Sequence, residues 1–251
     1  MIKISTKNWV LDDIETVLFD KDGTFIDLHY FWGKMTEMRA TAIINQYSLN
    51  PETFAKLCLF LGYDLDTKKM LPDGITALYS RSKIIEIFAG NLKEIDVIAT
   101  EAEIAKIFDD VSNEFYKSIM DYTKPITEAI NFIKNAYNKG LKLGIVTSDS
   151  LESTRLTLKN LHLEDYFEVV IGRESSTETK ESGIPTKLAL QKLNANPETA
   201  VMIGDAPMDY ISAKNAGINN VILVSTGQIS ATELQKTCEY VLDSLSQLEI
   251  L

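Results

Sequence analysis

Residues 16–24 read TVLFDKDGT, an apolar run that ends in two acids separated by one residue. Such short apolar runs are typical of buried parallel strands. Gly23 permits a tight turn after the run, and Thr24 can brace that turn with a local hydrogen bond. The segment therefore predicts a buried strand whose carboxyl end carries Asp20 and Asp22.

Further along the chain, strand patterns alternate with helical ones. Four apolar runs precede turns, at KLGIVT (142–147), FEVVIG (167–172), AVMIG (200–204) and NVILV (220–224). Between them lie helical patterns at roughly Leu151–Leu161, Pro185–Leu193 and Met208–Ala216, the last ended by Gly217. This alternation predicts an α/β fold with a doubly wound, Rossmann-like parallel sheet.

The region from about Tyr30 to Tyr122 differs, because it shows amphipathic helical periodicity and no convincing strand. The simplest organisation is an α/β core of residues 1–28 and 124–251, with an all-helical cap of residues 29–123 inserted after the first strand. Basic residues in the cap, namely Arg39, Arg81 and Lys83, are expected to lie mostly on its surface.

Ligands of open α/β sheets bind at the carboxyl ends of the strands, and here those ends are rich in acids. Asp20 can act as a nucleophile, because carboxylates form acyl-phosphate intermediates. Asp22 can protonate the leaving oxygen and then activate water. Mg²⁺ prefers oxygen ligands, which Asp20, Asp205 and the carbonyl of Asp22 can supply, with Asp209 supporting them from the same loop.

These motifs resemble those of the haloacid dehalogenase superfamily, whose first motif is Asp-x-Asp-Gly-Thr. Thr147 stands where that family keeps its second motif, and Gly204-Asp205 with Asp209 matches its acidic motif. An inserted helical cap resembles the phosphoglycolate phosphatase-like and β-phosphoglucomutase-like branch. The resemblance implies catalytic roles for Asp20, Asp22, Thr147 and Lys180, and phosphate contacts from Gly23, Thr24, Thr147, Ser148 and Lys180.

The resemblance also implies a lysine that contacts both the phosphate and the nucleophile. Two residues are candidates, Lys180 and Lys187. The spacing to Asp205 favours Lys180, although Glu181 follows it where family members often have proline. Lys187 falls within a helical pattern, where an exposed lysine is the usual interpretation.

The charge of the chain limits which molecules the protein is expected to bind. The chain of 251 residues has 36 acidic and 25 basic residues, a formal net charge of −11. This excess disfavours binding to nucleic acid or to anionic membranes. There is no basic start followed by an apolar run and no apolar stretch long enough to cross a membrane, so a soluble, cytoplasmic protein is expected.

The sequence therefore predicts a Mg²⁺-dependent phosphatase that hydrolyses a small phosphomonoester through an aspartyl-phosphate intermediate. A phosphomutase of the same fold and a non-catalytic phosphorelay receiver are the alternatives. A dehalogenase or phosphonatase is disfavoured, because the resemblance implies that those branches lack the second acid, Asp22. The motifs identify neither the substrate nor the oligomeric state.

Overall fold

A computed structural model of the chain describes residues 2–251. The chain divides into two compact units. One comprises the chain up to Asp27 together with Lys124–Leu251, and the other comprises Leu28–Thr123. The helical unit therefore begins one residue earlier than the cap boundary expected from the sequence, because Leu28 is the first residue of a long helix.

The described residues form eleven strands: β1 Ile2–Ser5, β2 Val10–Ile14, β3 Thr16–Phe19, β4 Tyr63–Asp64, β5 Lys69–Met70, β6 Lys142–Val146, β7 Val169–Ile171, β8 Ala200–Gly204, β9 Asn220–Val224, β10 Tyr240–Leu242 and β11 Glu249–Ile250. They also form eleven α-helices: α1 Leu28–Tyr47, α2 Phe54–Phe60, α3 Ile75–Leu78, α4 Arg81–Asn91, α5 Glu101–Lys117, α6 Ile119–Tyr122, α7 Thr127–Asn138, α8 Leu151–Asn160, α9 Ile184–Leu193, α10 Pro207–Asn215 and α11 Ala231–Leu234. None of these helices is both long and apolar enough to cross a membrane.

A six-stranded parallel sheet forms the centre of the first unit, with strand order β10-β9-β8-β3-β6-β7. This arrangement confirms the predicted parallel α/β sheet. β3 lies between β6 and β8, and its four residues are all buried. Phe19 at its end is in register with Ile145 and with Ile203. Because the three strands run parallel, the residues that follow them meet at one edge of the sheet.

Four strands of this unit have no counterpart in the prediction. β10 extends the main sheet beside β9, while β1, β2 and β11 form a separate antiparallel sheet in the order β11-β1-β2. Each is only two to five residues long. The acids Asp12 and Asp13 interrupt the apolar alternation of β2, so periodicity gives little signal there.

The second unit is helical, but the expectation that it contains no strand was wrong. β4 and β5 form a two-stranded hairpin in which Tyr63 pairs with Met70. The Asp64 side chain accepts the backbone N–H of Asp66 at 2.9 Å, which initiates the turn. Strands of two residues are too short to produce a detectable alternation.

The longest amphipathic pattern of the second unit becomes α5. Thr100 and Glu103 form a capping box, in which the Thr100 hydroxyl accepts the Glu103 N–H at 3.3 Å and the Glu103 carboxylate accepts the Thr100 N–H at 2.8 Å. One face of the helix is buried through Ile104, Phe108, Val111 and Phe115. Arg39 of α1 lies 4.4 Å from the centre of the Phe108 ring and is buried, contrary to the surface position expected for it.

Candidate active site

Three strands bring the principal polar residues to one edge of the parallel sheet. Asp20 follows β3, Thr147 follows β6 and Asp205 follows β8. All three are buried. The backbone continues the sheet pairing at this edge, since the Asp20 N–H donates to the Ile203 carbonyl at 2.8 Å. The positions predicted from strand ends thus come together around Asp20.

Lys180 provides the positive charge beside Asp20. It lies on a short 3₁₀ turn, Lys180–Ser182, and is buried. Its Nζ is 2.6 Å from Asp20 Oδ1 and 2.6 Å from Asp209 Oδ1. Although burial lowers the pKa of Lys180, attraction to Asp20 and Asp209 outweighs it and raises the pKa above its ordinary value. Lys187 is exposed on α9, so of the two candidate lysines the structure brings only Lys180 to Asp20.

Asp209 organises the loop that carries Asp205. Its Oδ2 accepts the backbone N–H groups of Asp205 at 3.1 Å and Ala206 at 3.0 Å, at the start of α10. A carboxylate is favourable there because unpaired N–H groups and the helix dipole meet at a helix N-terminus. Its Oδ1 contacts Lys180. Both Asp209 oxygens are thus engaged by donors from the protein.

The carboxylates of Asp20, Asp205 and Asp209 are close enough to share a cation, since one ligand oxygen from each lies within 4.8 Å of the others. Burial raises the pKa of Asp20 to about 7, against the attraction of Lys180. Burial, together with repulsion from Asp20 and Asp209, raises the pKa of Asp205 well above its ordinary value. When all three carboxylates are ionised they outnumber the one ammonium group, and this excess of negative charge suits a divalent cation with oxygen ligands.

Glycines make room for these carboxylates. Gly23 has a φ of +89°, which permits the turn after Asp20, and a Cβ there would collide with the Asp205 carboxylate. A Cβ at Gly227 would also meet that carboxylate, and one at Gly204 would meet Asp209. Gly227 was missed by the sequence reasoning, because nothing local to its turn indicates that a carboxylate packs against it.

The second acid of the first motif is held by a lysine that the prediction did not use. Lys21 is fully buried, and its Nζ lies 2.5 Å from Asp22 Oδ1 and 3.0 Å from Asp149 Oδ2. Burial lowers the pKa of Lys21, but attraction to Asp149 and Asp22 prevails and raises it. The Asp149 N–H in turn donates to the Thr147 hydroxyl at 3.1 Å. An exposed lysine would have been the ordinary expectation between two acids.

The remaining residues predicted to contact phosphate have different surroundings. Ser148 is exposed, and its hydroxyl lies 3.6 Å from Met208 Sδ. Thr24 is buried, and among residues 2–251 its hydroxyl has no hydrogen-bond partner. The turn after Asp20 is instead braced by backbone bonds, including Thr24 N–H to the Lys21 carbonyl at 3.3 Å, and by the Thr226 hydroxyl, which donates to the Gly23 carbonyl.

Comparison with known proteins identifies the family of the chain. A family model described as haloacid dehalogenase-like hydrolase matches residues 17–224. The pyrophosphatase PpaX of Bacillus mycoides is 26% identical over 236 residues, covering 94% of this chain and 95% of that protein. The pyrophosphatase PpaX of Bacillus pumilus is 27% identical over 206 residues, covering 81% of this chain and 80% of that protein. A crystal structure described as a predicted phosphoglycolate phosphatase from Haemophilus somnus 129PT superposes with a TM-score of 0.72 at 15% identity, covering 94% of this chain and 96% of that one.

Proposed function

Because the chain belongs to the haloacid dehalogenase-like hydrolase family, we propose that it hydrolyses small phosphate esters through an aspartyl-phosphate on Asp20, with Mg²⁺ as cofactor. The observation that carries this proposal is the contact of Lys180 Nζ with both Asp20 Oδ1 and Asp209 Oδ1, at 2.6 Å each. A buried lysine between two carboxylates provides the charge that a dianionic phosphate requires beside a carboxylate nucleophile.

In the proposed reaction, a carboxylate oxygen of Asp20 attacks phosphorus while the bond from phosphorus to the leaving oxygen breaks. Asp22 gives its proton to that oxygen, and the alcohol leaves. Asp22 then takes a proton from a water molecule, which attacks the phosphorus of the acyl phosphate. The bond to Asp20 breaks, inorganic phosphate leaves, and both carboxyl groups return to their starting states.

The residues at the sheet edge fit a magnesium site. Mg²⁺ takes oxygen ligands in an octahedron, and Asp20, Asp205 and the backbone carbonyl of Asp22 would hold it. Asp209, whose oxygens are engaged by Lys180 and two backbone amides, would support that set by fixing the loop of Asp205. When bound, the cation supplies positive charge that offsets repulsion between the carboxylates and the phosphate.

Phosphate oxygens would be contacted by groups around the same edge. We assign this role to the Thr147 and Ser148 hydroxyls after β6 and to the turn at Gly23 and Thr24, with Lys180 as the charged contact. The buried Thr24 hydroxyl supports the assignment, because buried hydroxyls are normally hydrogen-bonded and this one has no protein partner among residues 2–251.

The names of the relatives guide the choice of substrates. Two proteins called pyrophosphatases match most of this chain, so inorganic pyrophosphate is one substrate to assay. The structural neighbour described as a phosphoglycolate phosphatase adds phosphoglycolate. Sugar phosphates and nucleoside monophosphates complete the substrate panel to be assayed, because a similar fold alone does not identify the ester that is hydrolysed.

The test is release of inorganic phosphate from this panel with and without Mg²⁺. Asp20→Asn should lose nearly all turnover, whereas Asp12→Asn, an exposed acid on β2, should retain it. Mass spectrometry of an acid-quenched reaction should find phosphate on the peptide that contains Asp20. Parent-like turnover in Asp20→Asn, or full activity after exhaustive chelation, would contradict the proposal.

The same assay separates the alternatives. A phosphomutase would isomerise a sugar phosphate without net release of phosphate. The receiver-domain alternative predicts one phosphorylation per molecule and no catalytic turnover, and membership of a hydrolase family argues against it.

A further inference from the structure

The pair Lys21 and Asp149 lies directly beside the proposed proton donor. Lys21 is fully buried, although it stands between two acids in the first motif. Its Nζ contacts Asp22 Oδ1 at 2.5 Å and Asp149 Oδ2 at 3.0 Å. Burying an ammonium group costs free energy that ion pairing does not always return, so a buried lysine at a reactive centre suggests a role in the chemistry.

Asp149 lies in the loop between β6 and α8, where three hydrogen bonds hold it. Its Oδ1 accepts the Ser150 N–H at 2.7 Å, and its N–H donates to the Thr147 hydroxyl at 3.1 Å. Its carbonyl accepts the Arg173 N–H at 2.9 Å. Asp149 is also buried. Lys21 therefore joins the turn after β3 to the loop that follows the neighbouring strand, β6.

This connection bears on Asp22, which lies in a turn and not within the sheet ladder. A carboxyl group on a turn can rotate, and proton transfer requires it to face the leaving oxygen at hydrogen-bond distance. The contact between Lys21 Nζ and Asp22 Oδ1 restricts that rotation. Asp149 prevents the ammonium group from following Asp22 if the turn shifts.

We propose that Lys21, held by Asp149, is a positioning residue that orients the Asp22 carboxyl group for protonation of the leaving oxygen. This inference rests on the aspartyl-phosphate mechanism proposed above. A purely structural role is the alternative, in which Lys21 and Asp149 only tie two strand ends together. The two roles differ in their dependence on the leaving group.

The test compares kcat/KM for p-nitrophenyl phosphate with kcat/KM for an alkyl phosphate that the parent hydrolyses. Nitrophenolate is a weak base and leaves without a proton, whereas an alkoxide requires one. Because kcat/KM covers the steps up to phosphoryl transfer to Asp20, the later activation of water does not enter the comparison.

In Lys21→Met and in Asp149→Asn, kcat/KM for the alkyl ester should fall at least about tenfold more than kcat/KM for the nitrophenyl ester. Combining either change with Asp22→Asn should add little further loss for the alkyl ester, because the group to be positioned is already absent. Lys187→Met, an exposed lysine on α9, should keep both values. Circular dichroism checks that each variant folds. If Lys21→Met does not fold, the comparison of the two esters in Asp149→Asn alone decides the outcome.

Equal losses for both esters, or no loss, would assign Lys21 and Asp149 a structural role and overturn the inference while the proposed function stands. The inference would also be overturned if the fold-losses in kcat/KM for the alkyl ester from Asp22→Asn and from either other change multiplied in the double variant. If the parent hydrolyses no phosphate ester of the substrate panel, or if Asp20→Asn retains parent activity, the proposed function fails and the inference fails with it.

Discussion

Replacing Gly227 with alanine tests whether the Asp205 carboxylate must lie where it does. A Cβ at position 227 would meet Asp205 Oδ2 first and would be 2.6 Å from Asp205 Cγ. Ordinary van der Waals contact begins at 3.4 Å, so the carboxyl carbon must retreat by the difference, 0.8 Å. Rotation of the Asp205 side chain moves its carboxylate but not its Cβ, which would lie 2.9 Å away, so the backbone must also shift and the free energy of unfolding should fall by about 1–3 kcal/mol.

The effect on activity should be much larger. Oxygen ligands of Mg²⁺ lie at about 2.0–2.1 Å in a nearly ideal octahedron, so a retreat of this size would remove Asp205 from the proposed ligand set. Misplacement by about 1 Å can reduce turnover about 100-fold. We therefore expect kcat/KM to fall by about that factor and the Mg²⁺ concentration for half-maximal activity to rise.

Phosphate release measured across a magnesium titration gives both quantities, and a thermal melt gives the change in stability. Gly90→Ala is the matched control, because the residue lies inside α4 and a Cβ there would meet no atom within 4 Å apart from its chain neighbours and the nearby backbone of the same helix. It should raise stability by about 0.5–1 kcal/mol and leave activity unchanged. A Gly227→Ala variant with the magnesium dependence and kcat/KM of the parent would refute the reasoning.

Three further changes test the site and its support. Lys180→Met should lower turnover about 100-fold or more because the phosphate loses its charged contact, whereas Lys187→Met should match the parent in the same phosphate assay. Asp205→Asn removes repulsion among the carboxylates and should raise the unfolding midpoint without metal by about 2–4 °C, which is the shift that about 1 kcal/mol produces in a chain of this size. It should also abolish the further rise in the midpoint that Mg²⁺ causes. A lower midpoint would contradict the repulsion among the carboxylates. Thr186→Val should cost about 1–3 kcal/mol in chemical denaturation, because the buried Ser212 hydroxyl, 2.6 Å away, loses its partner; Thr186→Val with Ser212→Ala should recover most of that loss.

The sequence predicted five of the six strands of the main sheet, together with its acidic edge, because these depend on local patterns. Apolar runs such as residues 16–19 and 200–204 are strong strand signals, and acids directly after them must lie at the carboxyl ends. The position of Asp20 beside Asp205 then follows from parallel strands in register. The choice of Lys180 as the phosphate-contacting lysine required the family resemblance, since its spacing to Asp205 is informative only within that fold.

The features that the sequence did not predict arise from contacts between distant segments. From the sequence, Lys21 looks like a solvated residue between two acids, whereas in the structure it is buried and paired with Asp149 in the loop after β6. Gly227 has no local signature, because its need for a missing Cβ comes from Asp205. The hairpin of β4 and β5 was missed for another reason, since two-residue strands carry no detectable period.

The central position of β3 has a consequence for biosynthesis. This strand is translated before both of its neighbours, since Leu18 pairs with Gly144 on one side and with Met202 on the other. The helical unit, Leu28–Thr123, emerges in between and is closed by contacts within its own segment. Pairings between distant segments form late, because loop closure must precede them. Asp20 therefore lacks the full set of Lys180, Asp205 and Asp209 until Asp209 has been translated, so under the proposed mechanism a nascent chain is inactive up to that point.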